Sequence, residues 1–441
     1  MKSRFPRKNV FLTEQPPEYW EEMSYIHALP RDEENYRLDG RAIDRVRALE
    51  DVVLRIGTLP EPEEGVPGMF RVEYKGEEYE FHFYYYQRDP AYIREYQKHL
   101  FSRAEMEQIG RTGMALTSYM RFGKNLRDSY ILQLKLLSAL LPDALAFEDE
   151  SAEKLLNSRW VSMAIGSQLP CDWSALYVVQ AISNDENDIW LHTHGLSRCG
   201  LPELEILHAD VKLLSPLFGV LCTLADMLLE GGGYMEDRDM ALIGRLSGDK
   251  SLVVRKMSWT KGVLYYPREV LGTESYRENT HNGHSEIIFA LDEDGNPFPP
   301  DRLGDLLADN PLSFAADSET ERMTRLAAER FDYVRRIAAL PESAGYEIAL
   351  KMGLETKGGV VFPEDHDGDT REHIWFGLLG IDGDRLRLRL QQEPYDIPGL
   401  HEGDEGEYSL ADMTDWNILT PGGTEVTPGT AYLLDIPEDW I

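Results

Sequence analysis

Apolar and charged residues alternate with period two from Met69 onward: Phe70, Val72 and Tyr74, then Lys75-Gly76, then Tyr79, Phe81 and Phe83. That pattern, broken by a lysine-glycine turn, predicts a β-hairpin. Leu126, Ile131, Leu134, Leu137 and Leu141 recur near the helical period and stop at Pro142, predicting a helix over 125–141. A strand at Ala144–Glu148, a helix at Ala152–Ile165 and a strand at Ala175–Ser183 follow. The polar run Asn184–Asp188 then turns the chain into Ile189–His194, so a second hairpin is expected, with Trp190, His192 and His194 on one face of its outgoing strand.

Further on, Ser215-Pro216 offers a helix start, Leu217, Leu221, Leu224 and Leu228 a buried stripe, and Gly231-Gly-Gly233 a stop. Ser251–Val254, Val263–Tyr266 and Glu286–Leu291 read as strands, and Asp292–Gly295 as a turn. A capping box at Ser318–Glu321 opens a helix with Met323, Leu326, Phe331, Val334 and Ile337 on one face, expected to close the main body. In the last part, Ile374–Ile381 and Arg385–Gln391 flank Asp382-Gly383, a strong hairpin signature.

Together these elements predict an α+β fold of mixed and antiparallel sheets with packed helices, ending in a small β-barrel-like module. The expected division is an irregular N-terminal arm over 1–50, an α+β domain over 51–235, a second α+β segment over 236–345 packed on the first, and a β-rich module over 346–441.

Charge changes this picture by narrowing the partners. With 45 Lys and Arg against 78 Asp and Glu, the formal charge is −33, a field that repels nucleic acid and anionic membranes and suits solubility or a basic protein partner. Cys171, Cys199 and Cys222 give neither a disulfide framework nor a paired metal motif, so a cytoplasmic location is expected. Basic residues begin the chain, but the segment after them carries Glu14, Pro16, Pro17 and Glu18, so no export signal is expected. The most apolar window, Leu213–Ala225, is short of the about 20 residues that span a bilayer and reads as a core helix.

Candidate chemistry concentrates in Leu191-His-Thr-His-Gly-Leu196. His192 and His194, at i and i+2 on a strand, could converge on a divalent metal, with Glu205, His208 or the His281–His284 pair as third ligand; the plainer reading, histidines lining a half-buried aromatic face beside Trp190, is favoured. Asp365, Asp367 and Asp369 fail the calcium-loop template, which needs Gly and Glu where Thr370 and Phe376 stand. Gly283-His-Ser285 lacks the second glycine of a nucleophile elbow. Cys199, near Arg198, is a nucleophile candidate outweighed by a core or turn role. Tyr84-Tyr-Tyr86 could stack a ligand, and Trp375, Tyr395, Tyr408 and Trp416 could line a peptide groove, but packing is favoured for both sets.

The block His373-Ile-Trp-Phe-Gly, Gln392-Glu-Pro394, Leu400-His-Glu-Gly-Asp404 and Asp412-Met-Thr-Asp-Trp416 resembles a small bacterial module known as domain of unknown function 2314. Leu191-His-Thr-His-Gly-Leu and Gly200-Leu-Pro-Glu-Leu-Glu205 resemble a larger bacterial family, domain of unknown function 4026. These resemblances imply an intracellular bacterial protein of two modules and bring no activity with them. The functional expectation is therefore a non-enzymatic protein-binding role without a cofactor. The alternative is a metal-dependent hydrolase built on His192 and His194, and a third reading is small-ligand binding under the Trp190 face.

Overall fold

A computed structural model of the chain describes residues 23–33, 36, 38, 40–61, 66–89, 95–183, 188–231, 239–246, 250–273, 285–304, 317–356, 371–395 and 397–436. The chain forms two compact units. The first comprises Met1–Lys98, Ala104–Ser158 and Cys171–Phe314, the second His99–Arg103, Arg159–Pro170 and Ala315–Ile441.

The first unit opens with strands β1 (Ser24–Pro30), β2 (Val52–Thr58), β3 (Gly68–Tyr74), β4 (Glu77–Gln87), β5 (Met114–Met120), β6 (Ala144–Asp149) and β7 (Lys154–Asn157), in the spatial order β2-β3-β4-β5-β1-β6-β7. The expected β3/β4 hairpin is present. Lys75 and Gly76 sit at φ 49° and 85°, the positive pair that a tight two-residue hairpin turn requires. Residues 24–30 correct the expectation of an irregular arm, because β1 lies between β5 and β6 with Ile26, Ala28 and Leu29 fully buried. One face of the sheet packs Phe70, Phe81 and Phe83 against one another at 4.7–6.1 Å between ring centroids. The helix Leu126–Leu140 covers that face. Gln133 Nε2 donates to Ser24 O and Ser118 Oγ, and Ser129 Oγ lies 3.3 Å from the Tyr79 hydroxyl. Asn125 caps the helix start through Asp128 N, and Arg45 donates to the carbonyls of Ala139 and Leu140 at its end.

The expected helix at Ala152–Ile165 divides. Its first part is β7, paired with β6, and a helix runs only over Ser158–Gly166. β8 (Val178–Ser183), β9 (Ile189–His194), β10 (Glu203–Ala209), β11 (Met240–Leu246), β12 (Lys250–Ser258), β13 (Ser285–Leu291) and β14 (Pro297–Phe298) form a second sheet ordered β11-β12-β13-β10-β9-β8, with β14 on β13. β10 and β13 run parallel, and the other pairings described here are antiparallel. The expected β8/β9 hairpin is present, though residues 184–187 of its turn lie outside the described residues. Val263–Tyr265 is a 3₁₀ turn instead of the expected strand.

The helix Leu214–Glu230 begins earlier than its Ser-Pro signal. A 3₁₀ turn over Val211–Leu213, capped by the Asp210 side chain, leads into it, and Gly231 at φ 76° ends it. By length and composition, Val211–Glu230 could cross a membrane, but Leu217, Leu221, Leu224 and Leu228 bury one stripe of it in the protein. That is a helix packed along one stripe, with Val211 and Phe218 left exposed off it.

The second unit holds β15 (Glu347–Glu355), β16 (Arg371–Asp382), β17 (Arg385–Leu390), β18 (Glu405–Ser409), β19 (Met413–Leu419) and β20 (Glu425–Val426), ordered β18-β17-β16-β15-β19-β20. The barrel-like expectation is corrected. The sheet is open, its ends being a two-residue β20 and a five-residue β18 that do not pair. Closure is unnecessary because helices cover one face. Asp317–Glu329 and Phe331–Ala338 bring Ala327, Phe331, Val334 and Ile337 into a core with Leu350, Phe376, Leu388 and Trp416. The helix expected to close the main body therefore serves this sheet, in two segments. The Ser318 side chain, the aspartates at 365–369 and residues 281–284 fall outside the described residues.

Candidate functional site

β9 presents Trp190, His192 and His194 on one face, as its period-two pattern predicts. The rings form a file, Trp190 to His192 at 4.4 Å and His192 to His194 at 4.9 Å between centroids. His192 is buried beside a core of Trp190, Leu207, Tyr266 and Phe289. Glu205 lies opposite His192 in the β9/β10 register, and its Oε2 accepts the Trp190 indole N–H at 3.1 Å. His208 goes elsewhere: it stands at φ 55° within a β-bulge, is exposed, and contacts Asp188 at 3.1 Å. His194 lies 3.9 Å from Glu153, whose carboxylate also accepts from Gln180. Of the expected third ligands among the described residues, Glu205 lies on the histidine face and His208 lies off it. Among the described residues, no group of three or more His, Cys, Asp or Glu side chains is arranged to hold a metal ion.

The turn after β9 is built for rigidity. Glu203 braces it, Oε1 accepting from Gly195 N at 2.9 Å and Ser197 N at 3.0 Å while Oε2 accepts from Thr193 Oγ1 at 2.7 Å. Gly195 sits at φ 110° and a Cβ there would lie 2.4 Å from the Leu176 carbonyl, so no other residue fits without moving backbone. Arg198 is wholly buried and grips Asp149 with two bonds of 2.8 and 2.9 Å, adding Ser24 Oγ and the Leu176 carbonyl. Burial pushes the neighbouring Cys199 thiol up to about 12 against the opposing pull of Arg198, which disfavours the thiolate that a nucleophile needs.

A second constellation went unread in the sequence because its parts are far apart in the chain. The face of the first sheet opposite the helix carries, in one cross-strand row, Tyr25 on β1, Tyr119 on β5 and His82 on β4. The next row holds His27, Thr117 and Tyr84. Tyr25 stacks on Tyr119 at 5.7 Å, His82 on Tyr119 at 4.9 Å and His27 on Tyr86 at 5.1 Å, while Tyr84 meets Tyr119 edge-on at 6.2 Å. His27 is fixed between Thr117 Oγ1 at 2.7 Å and Glu150 Oε2 at 2.6 Å. The Thr117 hydroxyl is fully buried, so this chain orients a ring and cannot serve as a nucleophile relay.

Tyr25, His82, Tyr84 and Tyr119 are partly exposed, and Val53 and Ile56 continue the same face beside Glu73 and Arg71. Burial raises the Tyr84 hydroxyl to about 12, keeping it a neutral donor. At one end lies a cavity of about 310 Å³ lined by Met23, Glu78, Glu80, His82, Arg121 and Phe122. Of the Tyr84–Tyr86 run, Tyr85 turns from this face and accepts Leu38 N with its hydroxyl, while Tyr84 and Tyr86 belong to it. The sequence's only cue was that run.

Two stretches of the chain match one family: residues 24–170 match "protein of unknown function (DUF4026) N-terminal" and residues 179–289 match "protein of unknown function (DUF4026) C-terminal". The chain belongs to this family. The matched stretches begin at β1 and end in β13, so they take in the braced Leu191–Leu196 turn, its partner Asp149 and the aromatic face alike. The resemblance read from Leu191–Glu205 is thereby borne out, whereas these matches give no support to the one read from the His373–Trp416 block. No curated protein and no solved structure matches the chain.

Proposed function

We propose that the protein is a non-catalytic, protein-binding protein of the bacterial cytoplasm, whose contact surface for a basic partner is the tyrosine and histidine face of the first sheet. The observation that carries this reading is the stacked, partly exposed array of Tyr25, His82, Tyr84 and Tyr119. Tyrosine supplies large contact area at low conformational cost, and interface hot spots are enriched in it. Ring faces attract lysine and arginine side chains by about 1–2 kcal/mol when water is excluded. Glu78 and Glu150 flank the rings beside the ion pairs Arg55–Glu73 and Arg71–Glu80, and the whole-chain charge of −33 steers cations toward the molecule. Free thiols at Cys171, Cys199 and Cys222 fit a reducing compartment.

Site-specific photo-crosslinking in the native host tests the proposal. A crosslinking residue at Tyr84 or Tyr119 should give one discrete protein adduct that is lost on adding Tyr25→Ser and that weakens as salt is raised. A crosslinker at Glu293, in the remote Asp292–Gly295 turn, should not give it. An identical adduct pattern from the Glu293 position would end the reading.

A further inference from the structure

Residues 1–22 lie outside the described residues, but the point where they join the body is fixed. Met23 precedes β1 and lines the cavity of about 310 Å³ at one end of the tyrosine and histidine face, with Glu78, Glu80, His82 and Arg121. Two residues on, Tyr25 opens the row that continues through Tyr119 to His82. The chain therefore enters the first unit beside its aromatic array.

Composition gives the preceding segment the character of a basic partner. Lys2, Arg4, Arg7 and Lys8 fall within the first eight residues, with Phe5 among them and no carboxylate before Glu14. All 78 Asp and Glu come after this cluster, so the field of the body draws it inward. On the face itself, Arg55 and Arg71 are spent on Glu73 and Glu80 at 2.6 Å each, while Glu78 is exposed and the rings of Tyr25, Tyr84 and Tyr119 are partly so. Arg121 makes the cavity the poorer seat for a cation, which directs the cluster onto the rings beyond it. Reach is ample. Fourteen residues separate Lys8 from Met23, and even half of their extended length of about 50 Å exceeds the about 10 Å across three neighbouring strands.

We propose that residues 1–8 dock on the tyrosine and histidine face of their own chain, an inference that rests on reading that face as a contact surface for basic polypeptide. The segment holds the place that a basic partner takes. A tether of this length gives an effective concentration in the millimolar range, so contacts of modest strength suffice, and a partner must displace the segment to bind. In dilute solution the same segment of a second copy cannot compete with the tethered one.

The test uses the purified full-length chain, with no partner present, carrying the photo-crosslinking change Phe5→p-benzoylphenylalanine. Irradiated at low salt and mapped by mass spectrometry, it should crosslink to the strands that bear Tyr25, His82, Tyr84 and Tyr119, in a yield independent of protein concentration. The yield should fall at least about fivefold when Lys2, Arg4, Arg7 and Lys8 are all changed to Gln, a variant that alters none of the described residues, and likewise in Tyr119→Ser at unchanged thermal melting. Crosslinks mainly off this face, a yield that rises with protein concentration, or a yield indifferent to the four Gln changes would overturn the inference. Crosslinks on the face without any partner adduct in the host would sink the partner reading and uphold this one, and a partner adduct without crosslinks from residue 5 would do the reverse.

Discussion

At the scale of single residues, the pair Asp149–Arg198 carries the most consequence. Both side chains are wholly buried, so each depends on the other for its charge. Burial alone would lower the guanidinium's pKa, but the Asp149 charge and the Tyr130 hydroxyl more than offset it and hold it above its ordinary range. Removing one partner strands the other, which costs about 3–5 kcal/mol, whereas replacing both by apolar residues of similar size costs far less. Denaturant unfolding of Asp149→Asn, Arg198→Met and the double variant Asp149→Leu/Arg198→Met should therefore show the double variant to be more stable than either single one. Equal, additive losses would mean the site is wetter than its burial indicates. Cys199, next in the chain, gives a chemical check. With its thiol near 12, it should alkylate with iodoacetamide at pH 8 far more slowly in the native protein than in denaturant, despite the adjacent cation.

Elements divide into those whose cause is local and those whose cause is distant. The β3/β4 and β16/β17 hairpins were legible because Lys75-Gly76 and Gly383 determine their turns within a few residues, although Asp382 itself ends β16 opposite Arg385 and the turn pair is Gly383-Asp384. β1 was not, because the partners that make Ser24 and His27 tolerable inside a sheet are Gln133, Arg198, Thr117 and Glu150, none of them near in sequence. The candidate site splits the same way. The shared face of His192 and His194 follows from strand period alone, while the Tyr25–Tyr119–His82 row exists only once β1 lies beside β5 and β5 beside β4.

Loop 391–404 is an element whose bracing can be titrated. Glu393 Oε1 meets His401 Nδ1 at 2.7 Å, Oε2 accepts Glu402 N at 3.0 Å, and Asp404 accepts His401 N at 2.8 Å. The hydrogen bond to Glu393 raises the His401 pKa, so its stabilisation is complete below the unfolded histidine value and is lost as pH rises through the folded one. Glu393 is lowered by the Glu402 amide and then by His401, so its contribution is present above the unfolded carboxylate value and fades as pH falls through the folded one. The brace is complete between those two limits. Protection of the Glu402 amide should follow that window, and Glu393→Gln should abolish its alkaline edge; flat protection across it would show that the backbone holds the loop unaided.

At the scale of the whole molecule, the boundary between units is set by what covers Trp416. This side chain is fully buried in the sheet of the second unit, and its indole donates to the Ala327 carbonyl at 3.0 Å. Tyr408 packs on Phe376 with tilted rings at 4.8 Å, while Tyr395 is 86% exposed and Trp375 faces outward, so Trp375, Tyr395, Tyr408 and Trp416 split between core and surface. Three of its core side chains, Phe331, Val334 and Ile337, come from the helix Phe331–Ala338, and Arg330 donates to the Pro428 carbonyl at 2.6 Å. A fragment that begins at residue 346, where sequence pattern alone would cut, loses these helices and bares a sheet face built on Leu350, Phe376, Leu388 and Trp416. Losing the cover of one buried tryptophan is comparable to a large-to-small core substitution, about 3–5 kcal/mol, which is most of what a small domain has. A fragment over 315–441 keeps both helices. The longer fragment should melt cooperatively with blue-shifted tryptophan emission, and the shorter one should bind a hydrophobic dye and show no sharp transition. Cooperative melting of 346–441 would mean that the sheet buries enough surface without its helices, and that the helices belong to the unit by contact only.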